Sequence, residues 1–310
     1  MPTMLTDVFR GHPIHLPHSH QPDFTSLPEL PDSYTWTSKD DPLFTAPLSP
    51  QAAVENIPLI DLNHPDAANQ IGHACRTWGA FQIANHGVPL ELLQGIEFLT
   101  GSLFQLPVQR KLKAASDIVE QYEEQMQKLA SKLMWLSLKS LGVSEGDIKW
   151  ATVSSDLNWA QSALQLNHYP VCPEPDRAMG LAPHTDSTLL TILYQNNTAG
   201  LQVFRDDLGW VTVPPVPGSL VVNVGDLFHI LSNGLFKSVI HRARVNQIRS
   251  RLSVAFLWGP RSDTKISPVP KLVSPDESPL YRSVTWTEYL RTKATHFNKA
   301  LSMIRNHREE

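Results

Sequence analysis

Between residues 160 and 260 the chain breaks into short runs rich in β-branched and aromatic residues. They are ALQLNHY, TLLTILY, LQVFRD, WVTVPP, SLVVNVG, SVIHRARV and LSVAFLWG. Even spacing of such runs, each cut off by turn residues, constrains the fold to a sandwich or barrel of short strands. Gly209, Gly218 and Asn233-Gly234 supply turns, and the last predicts a hairpin. The flanking regions read differently. Residues 57–62 predict a short strand and 66–78 a helix, with Ile71, Ala74, Cys75 and Trp78 near helical spacing. Phe81 and Ile83 alternate in a second strand. A helix from Pro89 to Phe104 carries the stripe Leu92, Leu93, Ile96, Leu99, Leu103, with proline tolerated in its first turn. Residues 117–141 predict a long helix with Tyr122, Met126, Leu129, Leu133, Leu136 and Leu141 toward a core. Thr285 to Glu288 forms a capping-box pattern, opening a helix marked by Trp286, Tyr289, Leu290, Phe297, Leu301 and Ile304.

The β-rich region carries the chemistry. His184-Thr185-Asp186 is an H-x-D; on a strand the imidazole and carboxylate share a face. A second histidine from another strand, His241, completes two imidazoles and a carboxylate. That donor set, with positions left open, marks non-haem Fe(II) oxygenases. Arg251 and Ser253 repeat the spacing, and a guanidinium beside a hydroxyl suits one planar carboxylate. Asn167 and Tyr169 share a face by the same rule. His229 competes for the third ligand position but precedes the Asn233-Gly234 turn. His168 should face away from Tyr169 and is read as structural. Arg244 and Arg249 lack the following x-Ser, so Arg251 is preferred.

Taken in this order, the motifs resemble those of plant 2-oxoglutarate- and Fe(II)-dependent dioxygenases. NIPLIDL…ACRTWGAFQIANHGV at 56–88 is similar to that family's N-terminal region, and VNVGDLFHILSNGLFKSVIHRA at 222–243 to the segment delivering its second histidine. MLTDVFRGHPIHLPHSH, LTILYQNNTAGLQVFRDDLGWV and RTKATHFNKALSMIRNHR resemble, more closely, the gibberellin 3β-hydroxylases. The resemblance implies a mainly β core, a double-stranded β-helix (jelly roll), flanked by α-helices from an N-terminal region and a C-terminal helix. It implies His184, Asp186 and His241 as catalytic metal ligands, and Arg251, Ser253, Tyr169 and Asn167 as the 2-oxoglutarate site. The cofactors implied are Fe(II), 2-oxoglutarate as co-substrate and O2, with ascorbate in support. The implied reaction is 3β-hydroxylation of a nineteen-carbon gibberellin with release of succinate and CO2.

The organisation expected is an irregular arm at 1–55, an N-terminal dioxygenase region at 56–116 and a long helix and linker at 117–159. The jelly-roll domain follows at 160–262, then a C-terminal segment and helix at 263–310. In the arm, Phe24, Tyr34 and Trp36 could dock, and His12, His15, His18 and His20 read as a solvated polar segment broken by prolines. After Lys113 the resemblance skips a few dozen residues that in relatives line the substrate side. Missing strands should leave an open sheet edge and exposed apolar surface. Two readings therefore stand: an active hydroxylase, and a shortened form that binds iron and 2-oxoglutarate without efficient turnover. A net charge of −4 over 310 residues, with no Lys/Arg-rich block, argues against nucleic acid. The two cysteines, Cys75 and Cys172, suit a reducing compartment without a disulfide. No run is long enough for a membrane span and no secretory signal is read. The expected protein is a cytoplasmic monomer acting on a small molecule.

Overall fold

The computed structural model describes residues 29–30, 35–36, 55–105, 116–151 and 158–306. Strand β1 (Leu59–Asp61) leads into helix α1 (Ala67–Thr77), which buries Ile71, Ala74 and Cys75. Strand β2 (Ala80–Ala84) pairs parallel with β1. Helix α2 (Leu90–Gln105) buries Leu93 and Ile96. Helix α3 (Ser116–Lys139) has 24 residues, roughly 36 Å of rise. Its Tyr122, Met126, Leu129 and Leu133 are buried at steps of four, three and four, the period that keeps side chains on one helix face. Leu136 and Leu141 are half-buried.

The β-rich region supplies β3 (Ala160–Tyr169), β4 (Leu181–His184), β5 (Leu190–Gln195), β6 (Leu201–Arg205) and β7 (Gly209–Thr212). After β8 (Leu220–Val224) comes helix α4 (Asp226–Leu231), which the sequence reading did not foresee. Then follow β9 (His241–Ala243), β10 (Arg251–Pro260), β11 (Lys265–Ile266) and β12 (Val284–Thr285). Helices α5 (Trp286–His296) and α6 (Ala300–Met303) close the described chain.

Two sheets face one another. The larger has the order β1-β2-β8-β5-β10-β3 and the smaller β4-β9-β6-β7. Every residue of β5 and β8 is buried, because helices cover one face of the large sheet and the small sheet covers the other. This is why LTILYQ and LVVNV read as nearly unbroken apolar runs. The jelly roll flanked by helices is thus the fold expected. At its edge, β3 pairs only with β10 among the described residues.

Two local expectations fail. Asn233-Gly234 does not join paired strands. Both residues have positive φ, 52° and 82°, and they turn the chain just after α4; β8 pairs with β2 and β5, and β9 with β4 and β6. The same left-handed pair that suits a hairpin also suits a helix terminus. The C-terminal helix is also not continuous to Ile304. Thr285 caps α5 by accepting from the Glu288 amide, but Phe297 adopts φ 47° and breaks the helix. Phe297 is exposed, whereas Trp286, Tyr289, Leu290 and Ile304 are buried. Of the arm, Leu30 is buried against Cys172 and Ala178, and the Trp36 amide donates to the Arg177 carbonyl at 2.9 Å. Phe24, Tyr34 and the four arm histidines lie outside the described residues, as does the Lys113 junction.

Candidate active site

His184 and His241 are direct cross-strand partners in β4 and β9, with ring centroids 4.3 Å apart. Asp186 lies beyond the end of β4, so strand alternation is not what brings it to the histidines; the loop after His184 does. Its Oδ1 is 3.6 Å from His184 Nε2 and 3.7 Å from His241 Nε2. One ligand atom from each residue lies within 4.8 Å of the others, a group that could hold a metal ion. Donors that each sit about 2 Å from one ion stand about 3–4 Å apart.

The backbone sets the histidine tautomers. His184 Nδ1 is 2.8 Å from the Ala182 carbonyl and His241 Nδ1 is 3.2 Å from that of Val239. A carbonyl only accepts, so each Nδ1 carries the proton and each Nε2 offers its lone pair toward Asp186. Burial, reinforced by the charge of neighbouring His241, pushes His184 down to about 4. Burial alone would raise Asp186, but His241, His184, Thr191 and Lys293 together hold its carboxyl below the usual range. A neutral imidazole and an ionised carboxylate are the forms a divalent cation needs.

The second cluster lies on the neighbouring strands of the large sheet. Arg251 faces Tyr169 and Ser253 faces Asn167 across β10 and β3. Arg251 Nη1 donates to Ser253 Oγ at 3.4 Å, Asn167 Nδ2 to the same oxygen at 3.5 Å, and the guanidinium carbon sits 5.1 Å from the Tyr169 ring centre. Arg251 is only 1% exposed, and no carboxylate among the described residues pairs with it. Its Nε has no partner. A buried unpaired cation is costly, which is the signature of a site completed by an anionic ligand.

Both clusters open on one cavity between the sheets, lined by His184, Asp186, His241, Arg251, Ser253 and Tyr169 among others. A larger groove, about 700 Å³, lies elsewhere, lined by Phe98, Tyr194 and Leu252. Leu252 alternates with Arg251 and Ser253, so that groove belongs to the outer face of the same sheet.

His229 is not at the site; Nδ1 is 2.5 Å from the Phe236 carbonyl and Nε2 2.8 Å from the Tyr281 hydroxyl. His168 faces away from Tyr169, exposed, with its ring 5.4 Å from that of Phe104. Arg244 binds Asp176, and Arg249 is exposed. The sequence reading also missed polar residues beside both clusters. Asn223 Nδ2 lies 3.5 Å from both Asp186 Oδ2 and His241 Nε2, and its Oδ1 has no partner. Gln195 Oε1 accepts from Arg251 Nη2 at 3.0 Å. The available signal was a polar residue in a buried apolar run: Asn223 in LVVNV and Gln195 at the end of LTILYQ.

Comparison with known proteins agrees. Residues 160–260 match the 2OG-Fe(II) oxygenase superfamily model, and 57–160 match the model described as non-haem dioxygenase in morphine synthesis N-terminal. The structure is similar to the crystal structure of JOX2 in complex with 2OG, Fe and JA, with a TM-score of 0.78 and 29% identity, covering 91% of this chain and 95% of that one. The chain belongs to the 2OG-Fe(II) oxygenase superfamily and is a 2-oxoglutarate-dependent dioxygenase, using Fe(II), 2-oxoglutarate and O2. At closer range it is similar to two Arabidopsis thaliana proteins. Gibberellin 3-beta-dioxygenase 1 is 75% identical over all of both chains, and gibberellin 3-beta-dioxygenase 2 is 60% identical over 99% of this chain and 100% of that one. The first alignment runs over 358 positions against 310 residues here, so about 48 positions face no residue of this chain.

Proposed function

We propose that this enzyme hydroxylates nineteen-carbon gibberellins at carbon 3 on the β face, yielding the bioactive hormone. The observation that supports the substrate is the 75% identity to a gibberellin 3-beta-dioxygenase along the whole chain. The site assignment rests on geometry: one pocket joins the His184, Asp186 and His241 donors to the buried Arg251. Iron held there supplies oxygen activation: 2-oxoglutarate is oxidised to succinate and CO2, one oxygen atom entering succinate and the other becoming the new hydroxyl.

The protein's part is to bind and orient. His184, Asp186 and His241 would hold the metal without saturating it, so that Fe(II) there could take co-substrate and O2. Arg251 and Ser253 grip the far carboxylate of 2-oxoglutarate through charge-assisted hydrogen bonds, with Tyr169 beside it and Asn167 bracing Ser253. Leu181, Leu193 and Leu257 line the pocket with apolar surface that excludes water. Residues 160–262 act as the catalytic domain, and 56–116, 117–159 and the C-terminal segment support it.

Turnover is favoured over a binding-only shortened form by the 75% identity to a gibberellin 3-beta-dioxygenase along the whole chain. No helix among the described residues is long and apolar enough to cross a membrane. Both cysteines are free and buried. A cytoplasmic monomer fits these features. The test is incubation of purified protein with Fe(II), 2-oxoglutarate and a nineteen-carbon gibberellin in air. The expected result is a 3β-hydroxylated product with equimolar succinate. Succinate without any hydroxylated gibberellin would overturn the substrate assignment.

A further inference from the structure

Asp186 sits past the end of β4, so something other than the strand pleat must fix it. Behind it lies a buried polar cluster. Asp226, at the start of α4, is fully buried. Its Oδ2 accepts from Thr185 Oγ1 at 3.0 Å, from the Tyr289 hydroxyl at 2.8 Å and from Lys293 Nζ. Its Oδ1 accepts from Ser238 Oγ at 2.6 Å. Lys293 Nζ also donates to Thr185 Oγ1 at 2.5 Å. The Asp226 amide donates to the Asp186 carbonyl at 2.7 Å, and the Leu227 amide to Thr188 at 3.0 Å. A Cβ at Gly225 would lie 2.1 Å from the Thr188 carbonyl oxygen, so the loop after His184 is pressed onto the turn before α4. Thr185 is therefore held between the two members of an ion pair, and Asp186 is held through its own carbonyl.

A buried ion pair is weak evidence of stabilisation, because desolvating both charges offsets their attraction. Here the pair joins three segments distant in sequence, the 184–188 loop, α4 and α5, at the residue next to Asp186. We propose that the Lys293–Asp226 pair is a positioning device for the Asp186 carboxylate. Through Thr185 it sets where that carboxylate points, and it thereby couples the C-terminal helix α5 to metal affinity. This inference rests on the reading of His184, Asp186 and His241 as the metal ligands. Groups that orient ligands in this way are typically worth 10–100-fold in metal affinity.

The test is Co(II) titration of metal-stripped protein, followed by visible absorbance. Thr185→Val removes the hydroxyl at the same size and leaves the ion pair in place. It is expected to weaken Co(II) binding about tenfold, with little change in the melting temperature of the metal-free protein. Thr185→Ser, which keeps the hydroxyl, should bind Co(II) like wild type. Lys293→Met should weaken binding at least as much as Thr185→Val; if it unfolds the metal-free protein, the two Thr185 variants decide alone. A folded Thr185→Val that binds Co(II) like wild type would overturn the inference, and so would a Thr185→Ser as weak as Thr185→Val. Asp186→Ala, run alongside, should abolish binding. Normal binding by Asp186→Ala would instead mean that the ligand assignment itself is wrong.

Discussion

The space between the two sheets and the α2 side of the large sheet are built on opposite terms. On the inner side, each site residue is placed by strand register or by a buried hydrogen bond: His184 against His241, Arg251 against Tyr169, Ser253 against Asn167. Asp186, His241, Arg251 and Ser253 are all buried. On the other side, Leu90 and Phe98 are 51% and 79% exposed, and among the described residues β3 ends the sheet as an edge. The alignment to the 75% identical relative leaves about 48 positions unfilled. The metal-site residues and those of the proposed co-substrate site are enclosed between the sheets, whereas the α2 side carries exposed apolar side chains.

The comparison breaks most sharply at the metal. His184→Ala, Asp186→Ala and His241→Ala should each abolish Fe(II)-dependent turnover, measured as succinate formation; a normal rate in Asp186→Ala would remove the triad from the account. Next comes Arg251→Lys, which keeps the charge but loses the fork that meets a carboxylate on two parallel bonds. The Michaelis constant for 2-oxoglutarate should rise roughly tenfold or more, about one strong charge-assisted hydrogen bond, while that for gibberellin stays close to wild type. A change confined to gibberellin would assign Arg251 to the other substrate.

A smaller effect concerns pH. The folded protein holds His184 near 4, below its ordinary value of 6.5, so the unfolded chain takes up this proton first as pH falls. Stability of the metal-free protein should therefore be full above pH 6.5 and decline toward pH 4. His184→Gln should flatten that decline in thermal melts, and an unchanged slope would deny His184 its role in it. The smallest effect is expected on the outer side. Phe98→Ser, at an exposed position, should alter stability by no more than about 0.5 kcal/mol and leave the 2-oxoglutarate Michaelis constant unchanged.

How far the sequence revealed this depended on how local each signal was. The residues of the metal cluster and of the proposed co-substrate cluster were legible because period-two spacing links neighbours on a strand, as Arg251 and Ser253 show. His184 and Asp186 were paired correctly for a reason that holds only in part, since Asp186 lies beyond β4. Asn223 and Gln195 were hidden because a single polar residue in a buried strand has no spacing to announce it. Lys293 and Asp226 were hidden because their meeting depends on α5 packing beside α4, across 67 residues of chain. Asn233-Gly234 misled because its left-handed geometry serves two kinds of ending, and only tertiary pairing chooses between them.

The most direct test of a self-contained metal and co-substrate half is anaerobic calorimetry of 2-oxoglutarate binding to the Fe(II)-loaded enzyme with no gibberellin present. One site per chain is expected, lost in Arg251→Ala and unaffected in Phe98→Ser. Absence of binding until gibberellin is added would contradict it, because the co-substrate site would then depend on the substrate side.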